Sequence, residues 1–169
     1  MKPRSEAKEL LKWYWQFHDK AKSLPIDVVD IIRRLGIFIF EAQFEDRYNK
    51  DLSGYINRVE DTYEIVVNQK HLPQRKRFTA AHELGHRLLH PDIIEVMTDG
   101  KYFLQRHKRN SSIEKQANAF ASELLMPEEL VRREHRQLLY PTTVELAKIF
   151  AVSPNSMHWR LRELGLVVR

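Results

Sequence analysis

Two histidines four residues apart, with a glutamate directly after the first, stand at His82-Glu83-Leu84-Gly85-His86. On an α-helix, positions i and i+4 share a face with Cβ atoms roughly 6 Å apart, so both imidazoles reach one ion. Glu83 points about a quarter-turn away, where its carboxylate meets a water held on that ion and not the ion itself. Metal-assisted hydrolysis needs that division of labour: neutral nitrogens that ligate, and a base beside the water. Three fixed residues also coincide by chance in a chain with 8 histidines, so the surrounding sequence decides.

The surroundings predict a helix that holds the motif. Pro73 suits a first helical position, because it lacks the N–H that has no partner there. From it a helix runs to His90, where Pro91 forbids continuation. Phe78, Ala81, Gly85, Leu88 and Leu89 form an apolar stripe at helical spacing, so the helix is packed. Gly85 in its interior costs about 1 kcal/mol against alanine. A merely tolerated glycine is one reading; a second backbone, or the substrate, passing close at that point is the preferred one.

A hydrolytic divalent site usually has three protein ligands and one open position, and cysteine is excluded because the chain has none. The strongest third candidate is Glu114, at the start of a helical pattern from Ile113 to Leu125. There Ile113, Ala117, Phe120, Ala121 and Leu124 make the apolar stripe, Glu114 lies at its edge, and Ala117, Ala119 and Ala121 allow close approach to the first helix. The competing reading makes Glu114 the last member of a capping box begun by Ser111. Spacing leaves both open. His90 continues the i+4 series from His86, but one ion is not reached from three successive turns. It reads as a helix C-terminal cap or as a hydrogen-bonding partner behind a ligand.

The run Arg77-Phe78-Thr79-Ala80-Ala81-His82-Glu83-Leu84-Gly85-His86, then Glu114-Lys115-Gln116-Ala117-Asn118-Ala119-Phe120-Ala121, then Leu124-Leu125-Met126-Pro127, resembles the ImmA/IrrE family of metallopeptidases. The similarity extends upstream through Leu52-Ser53-Gly54-Tyr55-Ile56 and Ile65-Val66-Val67-Asn68, and covers about residues 24–130. The resemblance implies His82 and His86 as metal ligands, Glu83 as catalytic base and Glu114 as third ligand. It also matches Asn118 to a position that hydrogen-bonds behind the ligands in related zinc peptidases, beside the plainer reading of a packing amide. The implied cofactor is Zn2+, with Mn2+ as another option. The implied substrate is a protein, a helix-turn-helix repressor or antitoxin. An oxyanion donor is also needed, and Tyr55, Tyr102, His90 and His107 are the candidates.

The rest of the chain sets the frame. Its 169 residues suffice for one core with a small appendage. The absence of cysteine excludes disulfides, and no apolar run reaches the roughly 18 residues of a membrane span, nor does the N-terminus carry a signal-like apolar region. The expectation is a cytoplasmic, membrane-free protein. A net charge of +5 favours acidic partners or nucleic acid. Residues 4–22 predict an amphipathic helix; Pro25 to Gly36 a second; Ile37-Phe38-Ile39-Phe40 a buried strand; 54–59 and 63–68 a hairpin about Glu60-Asp61; and 93–106 a second hairpin about Asp99-Gly100.

Thr143 to Phe150 and Pro154 to Leu164 predict two helices, with Ser153 as N-cap and Gly165 just past the end. Helix, short turn, helix is also the outline of a DNA reader, with His158, Arg160 and Arg162 facing phosphates or bases; direct DNA binding is the rival to a packed helical pair. The expected class is α+β: a minimal zincin-like metallopeptidase domain over 1–140 with a small antiparallel sheet, and a helix-turn-helix-like segment over 141–169. The alternative function is a DNA-binding or protein-interaction regulator whose metal site is structural or inactive.

Overall fold

Seven helices and three strands occupy the described residues, 2–17, 22–44, 52–92 and 111–166, of the computed structural model. Helix α1 (Pro3–Gln16) buries Ala7, Leu11 and Tyr14 and ends at Gln16 with Phe17 as its C-cap, and residues 18–21 of the expected helix lie outside the described residues. Helix α2 (Val28–Arg34) starts later than Pro25, because Asp27 is a better cap: its side chain accepts the Asp30 N–H at 3.0 Å. Gly36 follows with φ of 74°, the conformation expected of a glycine that ends a helix.

The sheet comprises β1 (Ile37–Ala42), β2 (Gly54–Val59) and β3 (Thr62–Asn68) in the order β1-β3-β2. The short turn at Glu60-Asp61 makes β2 and β3 antiparallel, as predicted. The expectation of an antiparallel sheet is corrected at β1, which pairs parallel with β3 from Ile37↔Tyr63 to Ala42↔Asn68. β3 takes the centre, paired along both edges, and its run of Ile65, Val66, Val67 and Asn68 is buried. β1 was expected to be buried along its length. It alternates instead, with Ile37 inward and Phe38 and Phe40 left 56% and 50% exposed. Successive side chains of a strand point to opposite faces, and here one face of β1 meets the core and the other solvent.

Helix α3 (Pro73–Leu89) lies between the sheet and helix α4 (Ser111–Leu125). The single stripe predicted for α3 is therefore too narrow. Ala80, Ala81, Leu84 and Gly85 are buried, and so are Thr79, Glu83 and His86, whereas Phe78, Leu88 and Leu89 are only partly covered. On α4 the predicted Ala117, Phe120, Ala121 and Leu124 are buried, with Ile113 partly so. The hairpin expected at 93–106 and the Ser111 side chain of the capping box lie outside the described residues.

Helices α5 (Glu128–Gln137), α6 (Thr143–Phe150) and α7 (Pro154–Glu163) complete the chain. Thr142 caps α6 through a reciprocal pair with Glu145, and the Ser153 side chain accepts the Ser156 N–H of α7 at 3.0 Å. Between them Ala151 adopts a left-handed turn, φ 50°. Leu146, Phe150, Met157 and Leu161 join the same buried cluster as Leu84, Phe120 and Leu124, so the last two helices share the core of the metal-motif helices. Among the described residues no helix is long and apolar enough to cross a membrane.

Candidate metal centre

The site is built where α3 meets α4, and Gly85 sets how close they come. A Cβ placed on Gly85 would stand 3.0 Å from Phe120 Cδ1 and 3.3 Å from the Ala117 carbonyl oxygen. The preferred reading of this glycine holds: a second helix backbone crosses there. Small residues on both helices bring their side chains within reach of a common point.

Three groups converge on that point. His82 Nε2 and His86 Nε2 are 3.0 Å apart; Glu114 Oε2 lies 3.2 Å from the first and Glu114 Oε1 3.4 Å from the second. Ligands of a tetrahedral zinc at its usual bond lengths are about 3.3 Å from one another. His82, His86 and Glu114 are also the one group of metal-competent side chains found together among the described residues. The donor set thus fits a divalent ion. Exposure grades from 4% at the His86 side chain through 14% at His82 to 33% at Glu114, so the cleft opens on the α4 side.

The orientation of one imidazole follows from chemistry. Asn118 Oδ1, one turn after Glu114, lies 2.9 Å from His82 Nδ1. An amide oxygen only accepts, so His82 Nδ1 carries the proton and its Nε2 presents a lone pair to the convergence point. Of the two readings for Asn118, the geometry gives the hydrogen bond to His82. Glu83 sits in the same turn of α3 and is 1% exposed. A carboxylate withdrawn from bulk water beside a potential metal site has the placement of a base.

His90 caps α3: its N–H donates to the His86 carbonyl at 2.9 Å, and the two rings lie 6.1 Å apart between centroids. It is not in the converging group. Of the oxyanion candidates, Tyr102 and His107 fall outside the described residues. Tyr55 lies on β2 beside Gly54, where burial and then the Glu64 carboxylate push its phenol up, so it remains a donor across the neutral range.

Three features of the surroundings were not read in advance. A Cβ on Gly54 would come within 2.6 Å of Thr79 Cγ2, one helical turn before Glu83, so β2 presses against the motif helix. A glycine inside a strand is a signal of such an approach. Arg77, on α3, donates to the Ile26 carbonyl at 2.7 Å and the Ala151 carbonyl at 3.2 Å. Arg160, which the rival DNA-reading view turned toward phosphates, is buried against Glu123 of α4, as a packed helical pair requires. Neither arginine carries a local signature, because their partners are 74 and 37 residues away.

The chain is similar to the radiation response metalloprotease IrrE of Deinococcus radiodurans, 34% identical over 102 residues, which is 59% of this chain and 30% of that protein. Its fold resembles that of a solved Mycobacterium tuberculosis transcriptional regulator with a TM-score of 0.62 at 21% identity, covering 93% of this chain and 46% of the other. The chain thus spans less than half the length of either. A family model, Peptidase M78, described as the IrrE N-terminal-like domain, matches residues 32–162, across both motif helices and into α7. By that match the chain belongs to the family of IrrE N-terminal-like domains.

Proposed function

We propose that this chain is a metal-dependent endopeptidase acting on a protein partner, with His82, His86 and Glu114 as ligands, Glu83 as general base and Asn118 orienting His82. The observation that carries the reading is the convergence of two imidazole nitrogens and a carboxylate within 3.0–3.4 Å, with a buried glutamate in the same turn. Family membership and the relative's name as a metalloprotease support it. A bound zinc or manganese ion would supply Lewis acidity that activates water and polarises a peptide carbonyl.

The residues divide the remaining work. His82 and His86 are neutral donors and Glu114 contributes one negative charge, which leaves a divalent centre net positive. Glu83 takes a proton from the attacking water and returns it to the departing amine. Its burial keeps competing bulk water from the same proton. By family resemblance the partner is a helix-turn-helix repressor or antitoxin. We assign the peptidase unit to residues 1–140, with 141–169 as an attached helical segment.

Direct DNA reading by α7 is disfavoured by one observation: Arg160, one of its three basic candidates, is 1% exposed and already paired. The test is to mix purified protein, zinc and a candidate repressor and to follow the repressor by mass spectrometry. Cleavage that disappears with a chelator and with Glu83→Gln supports the proposal. Cleavage that survives Glu83→Gln would sink the assigned mechanism.

A further inference from the structure

Two arginines, pointing in opposite directions, tie the C-terminal helix pair to both metal-motif helices. From α3, Arg77 reaches the Ala151 carbonyl in the turn between α6 and α7. The same guanidinium holds the Ile26 carbonyl ahead of α2. From α7, Arg160 reaches back to α4: its Nε donates to the Met126 carbonyl at 3.0 Å, and its Nη2 pairs with the Glu123 carboxylate. Both partners of that pair are 1% exposed. Glu123 in turn accepts the Glu128 N–H at 3.2 Å, which joins the start of α5 to the same network.

Burying two charges is costly before they pair, and an apolar pair of similar volume is often as stable or more so. The pair therefore needs an explanation beyond stability. Directionality supplies one. Apolar contacts let a helix slide and rotate, whereas a planar guanidinium fixed at two acceptors holds one rotation and one height. Arg160 fixes the C-terminal end of α4, and Arg77 fixes α3 about one turn before His82. Glu114 lies nine residues from Glu123, about 13 Å along the helix axis. A helix is stiff over that length, so a rotation released at Glu123 moves the carboxylate at Glu114.

We propose that the C-terminal helix pair is a brace that sets the α3–α4 geometry of the metal site, with Arg77 and Arg160 as positioning residues. The inference rests on the reading of His82, His86 and Glu114 as a metal site. It gives segment 141–169 a role in that site and explains why one of the three basic candidates of α7, Arg160, faces inward.

The test compares, in the 169-residue chain, Arg77→Met, Arg160→Lys, Arg160→Met and the double variant Glu123→Met/Arg160→Met. Zinc affinity is measured by chelator competition, and unfolding by denaturant. The chain has no cysteine, so spin labels at Gln74→Cys on α3 and Lys115→Cys on α4 report the interhelix distance without background. We expect Arg160→Met and Arg77→Met to weaken zinc about tenfold, the lower end for groups that orient ligands, and to broaden the distance distribution. Arg160→Lys should fall between, since it keeps the charge but loses the two-acceptor fork.

The double variant removes both charges together and should keep its stability while still losing zinc affinity. A double variant with wild-type stability, zinc affinity and distance distribution overturns the proposal, and the ion pair is then only part of the core. If Arg160→Met fails to fold, Arg77→Met and the double variant decide. If the wild-type protein binds no zinc, the metal reading fails; the spin-label distances still decide whether the brace holds α3 against α4.

Discussion

The α3–α4 pair and the α6–α7 pair are both antecedents of one core, yet they bury polar groups in opposite ways. In α6–α7 the buried residues are apolar, and the one buried charge, Arg160, is spent on a carboxylate and a carbonyl of its neighbours. In α3–α4, His82, His86 and Glu114 point at one another, an arrangement that mutual hydrogen bonding alone does not require. Two imidazole nitrogens at 3.0 Å share at most one proton between them, and two lone pairs that close repel unless a cation lies between. Polar burial satisfied pairwise marks structure. Polar burial converging on a shared point marks a candidate site.

The largest effect should come from removing the convergence. A His82→Ala, His86→Ala double variant is expected to lose zinc altogether, read by metal analysis after dialysis, while the circular dichroism of its helices persists. Full metal occupancy in that variant would place the ion elsewhere and dissolve the contrast between the two helix pairs. Next comes Glu83→Gln, which keeps size and all three ligands. Positioned proton transfer is worth about 10²–10⁴-fold, so turnover should fall by that factor with zinc affinity preserved. Comparable losses of both would make Glu83 a structural residue.

Smaller effects sharpen the comparison. Asn118→Ala should weaken zinc by roughly 10–100-fold, the usual cost of losing a group that orients a ligating histidine, and Asn118→Asp should restore most of it. An unchanged affinity would return Asn118 to a packing role. Gly85→Val puts carbon where Phe120 and the Ala117 carbonyl already stand, and overpacking of this kind costs about 1–3 kcal/mol in denaturant unfolding. The smallest change belongs to the other pair. Thr142→Ala removes the capping box of α6 and should cost about 1 kcal/mol with zinc affinity unmoved. A tenfold loss of zinc from that substitution would mean that the brace depends on the α6 cap as well as on Arg77 and Arg160.

Much of this protein was legible in local sequence. Pro73 and His90 bounded α3; Ser153 and Gly165 bounded α7; Gly36 ended α2; and Glu60-Asp61 turned the hairpin, because caps and turns act over three or four residues. The His82-Glu83-xx-His86 face and its partner Glu114 were readable because helical periodicity puts i and i+4 on one side whatever the fold. Spacing alone left Glu114 between ligand and cap, since its distance to the histidines spans two helices. Only the crossing at Gly85 and Phe120 brings it within 3.4 Å of His86.

The misreadings have one cause. β1 looked like a buried run, and the sheet looked antiparallel, because alternation and strand order depend on which neighbour a strand finds; β3 found β1. The rival view of Arg160 as a phosphate contact stayed open because nothing near it in sequence reveals that Glu123 and Met126 lie behind α7. Sequence by itself determined the helices, their caps, and which side chains are candidates for chemistry, through interactions shorter than a helical turn. Tertiary structure decided the sheet order, the inward turn of Arg160 and the meeting of His82, His86 and Glu114, because those depend on contacts between segments whose separation along the chain leaves no periodic trace.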